Sequence, residues 1–307
     1  MVSATQLCYL LFLFVVACLV LEGTMASNDG GSNTFTLRLF LVRHGETVSN
    51  REGLVAGQAE SALTEQGERQ AVALGKSGRL LLGQYWRIYA SDLQRTQDTT
   101  RLILQGYKSA PTDTESSCPD VRLDVRLREL SKGARQGYPK SFNDQQAMEA
   151  RRREAQNRGE TFLPETVPAV ESERDAYNRF LNWLLEVAGE AVREQGQSTK
   201  NNIVLSTLVV SHSAFLRAIL THMFTKQELI QKGATYDANN PTRLLIPNTS
   251  VTTLDILIHS TSSFWKQQPS QMEHQQSVIR DGEEKFNGSI WQSKLQDLTW
   301  TGHYELV

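Results

Sequence analysis

The chain has 307 residues, a formal net charge of −2 and 39% hydrophobic residues. This is ordinary globular composition, with enough length for one large α/β domain or two small ones. The near-zero charge argues against a general nucleic-acid binder, which is usually basic. Leu7 to Leu21 is an uncharged apolar run, shorter than the roughly 20 residues of a membrane-spanning helix. Thr24-Met25-Ala26 offers small residues for cleavage after Ala26, although MVSATQ before it has no lysine or arginine. Residues 1–26 therefore read as a signal peptide for the secretory pathway. An uncleaved membrane anchor or an organelle-targeting segment is the alternative. Residues 27–34 read as a flexible leader.

Arg38 to Val42 has the apolar character of a strand buried on both faces. Thr64 can cap a helix with apolar positions at Ala71, Leu74 and Leu81. Trp86 to Ala90 reads as a second strand, and Asp92 can cap a helix running to about Gln105. Ser109 to Asp120 is a loop, and Val121 to Val125 a third strand. Residues 132–172 are polar and charged, with Arg151, Arg152 and Arg153 in a helix, and read as a lid-like insertion. Ile203 to Val210 is the clearest strand; it runs through Ser211-His212-Ser213 into an apolar helix, Phe215 to Met223. Val251 to Ile258 adds another strand, and 261–307 is a Gln- and Ser-rich extension whose Trp and Phe read as packing groups. The alternation predicts an α/β domain over 35–260: a mostly parallel sheet flanked by helices on both faces, with a helical insertion. Cys118 is the one cysteine beyond the leader, so no internal disulfide is expected. Asn248-Thr249-Ser250 and Asn287-Gly288-Ser289 match the glycosylation pattern.

Ligands of open α/β sheets bind beyond the carboxyl ends of the strands. There the first strand delivers Arg43 and His44, the second Arg95, the third Glu129 and the strongest one His212. Two arginines, two histidines and a glutamate suit a phosphoryl group, because guanidinium forks match phosphate oxygens. A neutral histidine can attack phosphorus, a protonated one can stabilise the equatorial oxygens, and the glutamate can move the proton. The set requires no metal or cofactor, and zinc and calcium ligand spacings are absent.

LVRHGETVSN at 41–50 resembles the signature of the histidine phosphatase superfamily, in its phosphoglycerate-mutase-like branch. Gly57-Gln58, LTEQGERQA, SDLQRTQDT, LREL at 127–130, SHSAFLR at 211–217 and PNTSV at 247–251 look like family blocks in family order. The resemblance covers about Leu37 to Ile258 and implies a three-layer sandwich. It implies that His44 is the nucleophile that becomes phosphohistidine. Arg43, Arg95, His212 and Asn50 would hold the phosphoryl group, Glu129 would donate the proton, and Gly57 and Gln58 would lie beside a small phosphorylated substrate. Ser213 stands where the family usually has glycine, and its hydroxyl is expected to cap the helix. LSKGARQGYPK lacks the arrangement of cofactor-dependent mutases, which favours a phosphomonoesterase over a mutase. Val170-Glu171-Ser172 after the insertion is similar in layout to glycolysis-regulator-type fructose-2,6-bisphosphatases.

Blander readings compete at several positions. Glu129 could pair with Arg126 or Arg128, and Arg95 with Asp98. Lys132, Arg135, Lys140 and Arg151 to Arg153 read as a solvated face, with a basic lid for a second phosphate or carboxylate as the alternative. His222, His259, His274 and His303 have no motif context. A non-catalytic phospho-ligand-binding protein would use the same pocket.

Overall fold

The computed structural model describes residues 34–80, 82–109, 118–195, 203–259 and, for the backbone alone, 291–299. A six-stranded sheet carries the fold. Its strands are β1 (Thr34–Arg43), β2 (Arg87–Ala90), β3 (Val121–Leu123), β4 (Ile203–Ser211), β7 (Val251–His259) and β8 (Trp291–Thr299), in spatial order β3-β2-β4-β1-β7-β8. A hairpin of β5 (Tyr236–Asp237) and β6 (Asn240–Leu244) stands apart. The first four sheet strands run parallel, β7 is antiparallel to β1, and β8 is antiparallel to β7.

Apolar residues on both sides of the central strands demand a cover on each face. On one face Phe35, Leu37, Leu39 and Leu41 of β1 pack with Leu205 and Val209 of β4. They meet Phe180, Trp183 and Leu184 of α5 (Glu173–Gln195) and Phe215 and Ile219 of α6 (Ser213–Met223). On the other face Val42, Ile88, Leu208 and Val210 meet Ala71 and Leu74 of α2 (Glu65–Lys76) and Leu102 and Ile103 of α3 (Gln94–Lys108). The expected three layers are present. Each fully buried leucine contributes roughly 1.5–3 kcal/mol. Arg38, the one charge in the interior of β1, lies opposite Asp255 of β7 in register and donates to both its carboxylate oxygens, at 2.7 and 2.8 Å.

The short α1 (Val48–Arg51) follows β1 directly, and α2 begins at Thr64 as expected, the hydroxyl accepting from the Gly67 N–H. A Cβ at Gly67 would lie 2.1 Å from the Glu46 carbonyl oxygen, so glycine there lets α2 touch the segment that leaves β1. Helix α2 ends at Lys76, and Leu81 lies outside the described residues.

The insertion is helical, with α4 (Asp144–Asn157) capped by Asn143 and Gln146. It is stitched over residues 53–55 by backbone bonds from Gly137 to Val55, Val55 to Tyr138 and Lys140 to Gly53. The extension proves to add an edge strand, β8, to the sheet; its expected packing aromatics lie outside the described side chains. The signal segment 1–26, the leader up to residue 33, Asn287, His274 and His303 also lie outside the described residues. Among the described residues no helix is long and apolar enough to cross a membrane.

Two expected caps are absent. Helix α3 starts at Gln94 with Leu93 as its cap and no capping side chain. Asp92 instead accepts a bidentate pair from Arg128, at 2.7 and 2.5 Å, and a guanidinium fork outcompetes backbone N–H groups for that carboxylate. Ser213 is the first residue of α6 rather than its cap, and the cap position, His212, makes no side-chain capping bond.

Candidate active site

Strands β1 and β4 are neighbours, and Arg43 lies beside Ser211. The residues that follow each, His44 and His212, therefore emerge side by side, with ring centroids 5.2 Å apart and planes at 61°. His44 Nδ1 lies 2.7 Å from the Gly45 carbonyl oxygen. A carbonyl only accepts, so Nδ1 carries the hydrogen and Nε2 keeps a lone pair. Burial, then the positive fields of Arg95 and Arg43, hold His44 well below the ordinary histidine range.

Arg95 is buried and reaches back to the loop before it, with Nη2 donating to Gly57 O at 2.6 Å and Nη1 to Ala59 O at 2.8 Å. Its Nε donates to His212 Nδ1 at 3.3 Å. His212 must therefore accept at Nδ1, carry its proton on Nε2 and give it to Ser91 Oγ at 2.9 Å. Burial and then Arg95 push His212 well below the ordinary range as well. His212 is completely buried, behind Arg95 and against the edge of His44, rather than on the cavity wall. Arg95 does not pair with Asp98; Arg101 takes that carboxylate.

Arg43 donates to Ile246 O at 2.6 Å and to Asn50 Oδ1 at 3.3 Å, and its Nε is buried without a partner among the described residues. Burial lowers its guanidinium to about 10, so it stays charged at neutral pH. Asn50 Oδ1 also accepts from Thr47 N and Asn248 Nδ2. Asn248 gives a second bond to His44 O at 2.9 Å, so this sequon asparagine is part of the site wall.

Glu129 forms neither expected ion pair, because Arg126 binds Asp124 and Glu186 and Arg128 binds Asp92. Its carboxylate lies across the start of α6, accepting from Ala214 N at 3.1 Å and Phe215 N at 2.9 Å, and from Leu130 N at 2.9 Å. The helix N-terminus favours that negative charge. Ser213 N–H, on the cavity wall, has no acceptor among the described residues.

Three residues to which the sequence assigned no role of their own hold this frame. Arg179 of α5 donates to the carbonyls of Arg126 and Arg128, the latter at 2.9 Å, and grips Glu171 through both oxygens, fixing the segment that carries Glu129. Gln136 of the insertion accepts at one oxygen from Gln58 N at 2.8 Å and Lys132 N at 3.2 Å. Thr99 accepts from Gly45 N at 3.0 Å. Only Thr99 and Ser91 had a sequence signal, since both lie in the SDLQRTQDT block. Of the pair expected beside the substrate, Gly57 lines the cavity, while Gln58 turns its amide to the Glu129 carbonyl at 3.0 Å.

The cavity holds about 560 Å³. Arg43, Arg95, Lys132, Arg135, Lys140, Arg217 and Arg243 line it, against two carboxylates, Glu46 and Glu129. Lys132, Arg135 and Lys140 therefore border the cavity, Lys140 as an exposed residue of its rim. Arg151 instead binds the Ala134 and Gln136 carbonyls, and Arg152 and Arg153 remain exposed. His222 is structural, bonded to Ala218 O and stacked on Tyr177. A larger groove of about 760 Å³ on the outer face of α3 contains none of the histidines or Glu129, and the chemistry favours the smaller one.

The sequence model of the histidine phosphatase superfamily (branch 1) matches residues 39–260. The chain belongs to this superfamily. A probable phosphoglycerate mutase, GpmB, of Cronobacter sakazakii is 45% identical over 97 residues, which are 32% of this chain and 40% of that relative. The chain thus spans well under half of that relative's length. Fructose-2,6-bisphosphatase TIGAR B of Danio rerio is 28% identical over 208 residues, 61% of this chain and 75% of that relative. Among solved structures, a mycobacterial glucosyl-3-phosphoglycerate phosphatase complexed with VO3 gives a TM-score of 0.49 at 23% identity, covering 86% of this chain and 100% of that one. A phosphoglycerate mutase from Bacillus anthracis gives 0.49 at 19% identity, covering 75% and 92%. The names in this family span phosphatases and mutases.

Proposed function

We propose that this superfamily member is a metal-independent phosphomonoesterase that acts on a small phosphorylated metabolite through a phosphohistidine at His44. The observation that carries the reading is the His44 tautomer: Nδ1–H is held by the Gly45 carbonyl, and the lone pair falls on Nε2 beside Arg43 and Arg95. A nitrogen kept neutral at physiological pH is a competent nucleophile.

In the first step the Nε2–P bond forms while the P–O bond to the alcohol breaks, and the proton that Glu129 takes up with the arriving substrate passes to the leaving oxygen. In the second, water attacks phosphorus as Glu129 takes its proton, the P–N bond breaks, and inorganic phosphate leaves with the imidazole restored. Arg43, the Asn50 amide and the Ser213 N–H are the donors for the equatorial oxygens. His212 reaches the group only through Arg95 and the His44 ring; with Nδ1 accepting the Arg95 N–H it acts as a neutral imidazole that orients both side chains.

The full-length protein, incubated with sugar phosphates, phosphoglycerates and an aryl phosphate in the presence of a chelator, should release inorganic phosphate, and a His44→Ala variant should not. Full release by the variant defeats the phosphohistidine reading; activity lost to the chelator defeats metal independence. Transfer between two hydroxyls of phosphoglycerate without net release would make the protein a mutase. Phosphate binding without turnover would make it a binding protein. Secretory routing from the apolar leader belongs to the same proposal, and N-terminal sequencing of secreted protein starting at Ser27 is the expected result.

A further inference from the structure

The lone pair of His44 stays on Nε2 only while the Gly45 carbonyl holds Nδ1–H, at 2.7 Å. That carbonyl belongs to the peptide unit joining Gly45 to Glu46. A Cβ at Gly45 would lie 2.5 Å from the Gly67 carbonyl oxygen, so the close approach of α2 requires glycine here. Glycine also gives the backbone its widest rotational freedom. The acceptor that fixes the nucleophile's tautomer therefore sits on a peptide that turns easily unless its other end is anchored.

The anchor comes from α2. Glu46 N–H, the second polar group of the same peptide, donates to Gln70 Oε1 at 3.0 Å. The peptide is thus held at both ends, His44 Nδ1–H on its oxygen and Gln70 Oε1 on its hydrogen. Flanking bonds fix the chain on either side. Gly45 N donates to Thr99 Oγ1 at 3.0 Å, the Thr99 hydroxyl donates to Arg95 O at 2.6 Å, and the Glu46 carbonyl accepts from Thr64 N at 2.9 Å. Among the described residues Gln70 is the acceptor for the Glu46 N–H itself. Hydrogen bonds in such a row polarise one another. An acceptor on the N–H makes the carbonyl oxygen more negative, the oxygen holds Nδ1–H more firmly, and the ring becomes more electron-rich at Nε2.

We infer that Gln70 is a positioning residue for the nucleophile: through the Gly45–Glu46 peptide it fixes the His44 tautomer and strengthens Nε2 for attack. Gln70 is half-buried on α2 and does not line the cavity, so it acts without touching substrate. The inference rests on the proposed function for the attack by Nε2, and on geometry alone for the tautomer.

The test compares two variants of the full-length protein. Gln70→Met keeps the length of the side chain and loses the acceptor; Gln70→Glu keeps the acceptor. Nitrogen NMR of isotope-labelled histidine, with the His44 signals assigned by their loss in His44→Ala, should show Nδ1 protonated in the parent and in Gln70→Glu. Gln70→Met should show a measurable Nε2–H form. On glycerol 3-phosphate, whose poor leaving group makes the first step limiting, kcat should fall about three- to tenfold in Gln70→Met, the effect of one lost hydrogen bond, with KM changed less than about twofold. Gln70→Glu should restore kcat. If the methionine variant fails to fold, Gln70→Asn, one methylene too short to reach the Glu46 N–H, takes its place in both measurements. An unchanged Nδ1–H signature on loss of the acceptor, an unchanged kcat, an equal fall of kcat in Gln70→Glu, or a loss confined to KM overturns the assignment. If the parent releases no phosphate from any substrate, the hydrolysis reading falls, and the NMR comparison alone decides the role of Gln70.

Discussion

Replacing Glu129 by glutamine preserves the shape of the side chain and removes its charge. The carboxylate accepts from Leu130 N and Phe215 N through Oε1, both at 2.9 Å, and from Ala214 N through Oε2 at 3.1 Å. A glutamine can keep its oxygen on Leu130 and Phe215, but its NH2 then faces the Ala214 N–H, donor against donor. One charge-assisted bond is lost, worth about 1.5–3 kcal/mol, together with roughly 0.3–1 kcal/mol of helix N-terminus attraction. Glu129→Gln should therefore cost about 2–4 kcal/mol of stability, a fall in Tm of roughly 4–12 °C. The catalytic loss is separate. A positioned acid–base group contributes about 10²–10⁴-fold, or about 3–5 kcal/mol of barrier, and the leaving group decides where it is felt. p-Nitrophenolate departs without help, so the variant should show a burst of one p-nitrophenolate per site and then slow turnover as phosphohistidine awaits a base. Glycerol 3-phosphate, with its poor leaving group, should show no burst and a much slower first turnover. Equal losses on both substrates, with no burst, would reduce Glu129 to a helix cap and refute the proton-transfer assignment.

Acid should unfold this protein by way of its two site histidines. Both are held below the ordinary value of 6.5, His44 by burial, Arg95 and Arg43, and His212 by burial, Arg95 and His44. Below that value the unfolded chain binds protons that the native state refuses. The stability present above pH 6.5 is therefore lost as pH falls towards the folded values, by up to about 1.4 kcal/mol per pH unit for each histidine. Denaturant titrations at pH 7 and pH 5 should show a shallower loss for His212→Asn than for the parent, and parallel losses would contradict this account. Gly57 has φ +54°, and a Cβ there would lie 2.4 Å from Gln136 Oε1. Gly57→Ala should cost about 1–3 kcal/mol, and combining it with Gln136→Ala should cost less than the sum of the two, a coupling that a double-mutant cycle measures. Arg179→Lys keeps the charge but cannot meet Glu171 and two carbonyls at once. It should lower stability by about 2 kcal/mol and reduce kcat more than it raises KM, because the affected segment carries Glu129; an unchanged kcat would make Arg179 purely structural.

The amino-acid sequence by itself determined the layers and which nitrogen- and carboxylate-bearing side chains stand at the ends of its elements. Leu37, Leu39 and Leu41 alternate with Phe40 and Val42, and Leu205 and Val209 with Leu208 and Val210, so each strand needs a helix on both sides wherever it is placed. Arg43, His44, Glu129 and His212 each follow or terminate a local element and Arg95 opens one, and that position is encoded within a few residues of each. Partnerships were a different matter. Asp92 had a suitable place to cap α3, yet its partner is Arg128, 36 residues away. Ser213 had a suitable place to cap α6, yet the donors there are taken by Glu129, 86 residues before Phe215. Such choices depend on which distant group arrives first with a better geometry, and local spacing carries no trace of it. The same holds for Gln136 locking Gln58, for Arg179 holding the Glu129 segment, and for the convergence of Lys140, Arg217 and Arg243. Only the strand order β3-β2-β4-β1 and the folding of the insertion over residues 53–55 bring these together. Periodicity and short motifs specify what each segment can bury and offer; the tertiary packing decides which offers are accepted, because charge pairs and hydrogen bonds act over a few ångströms of space irrespective of distance along the chain.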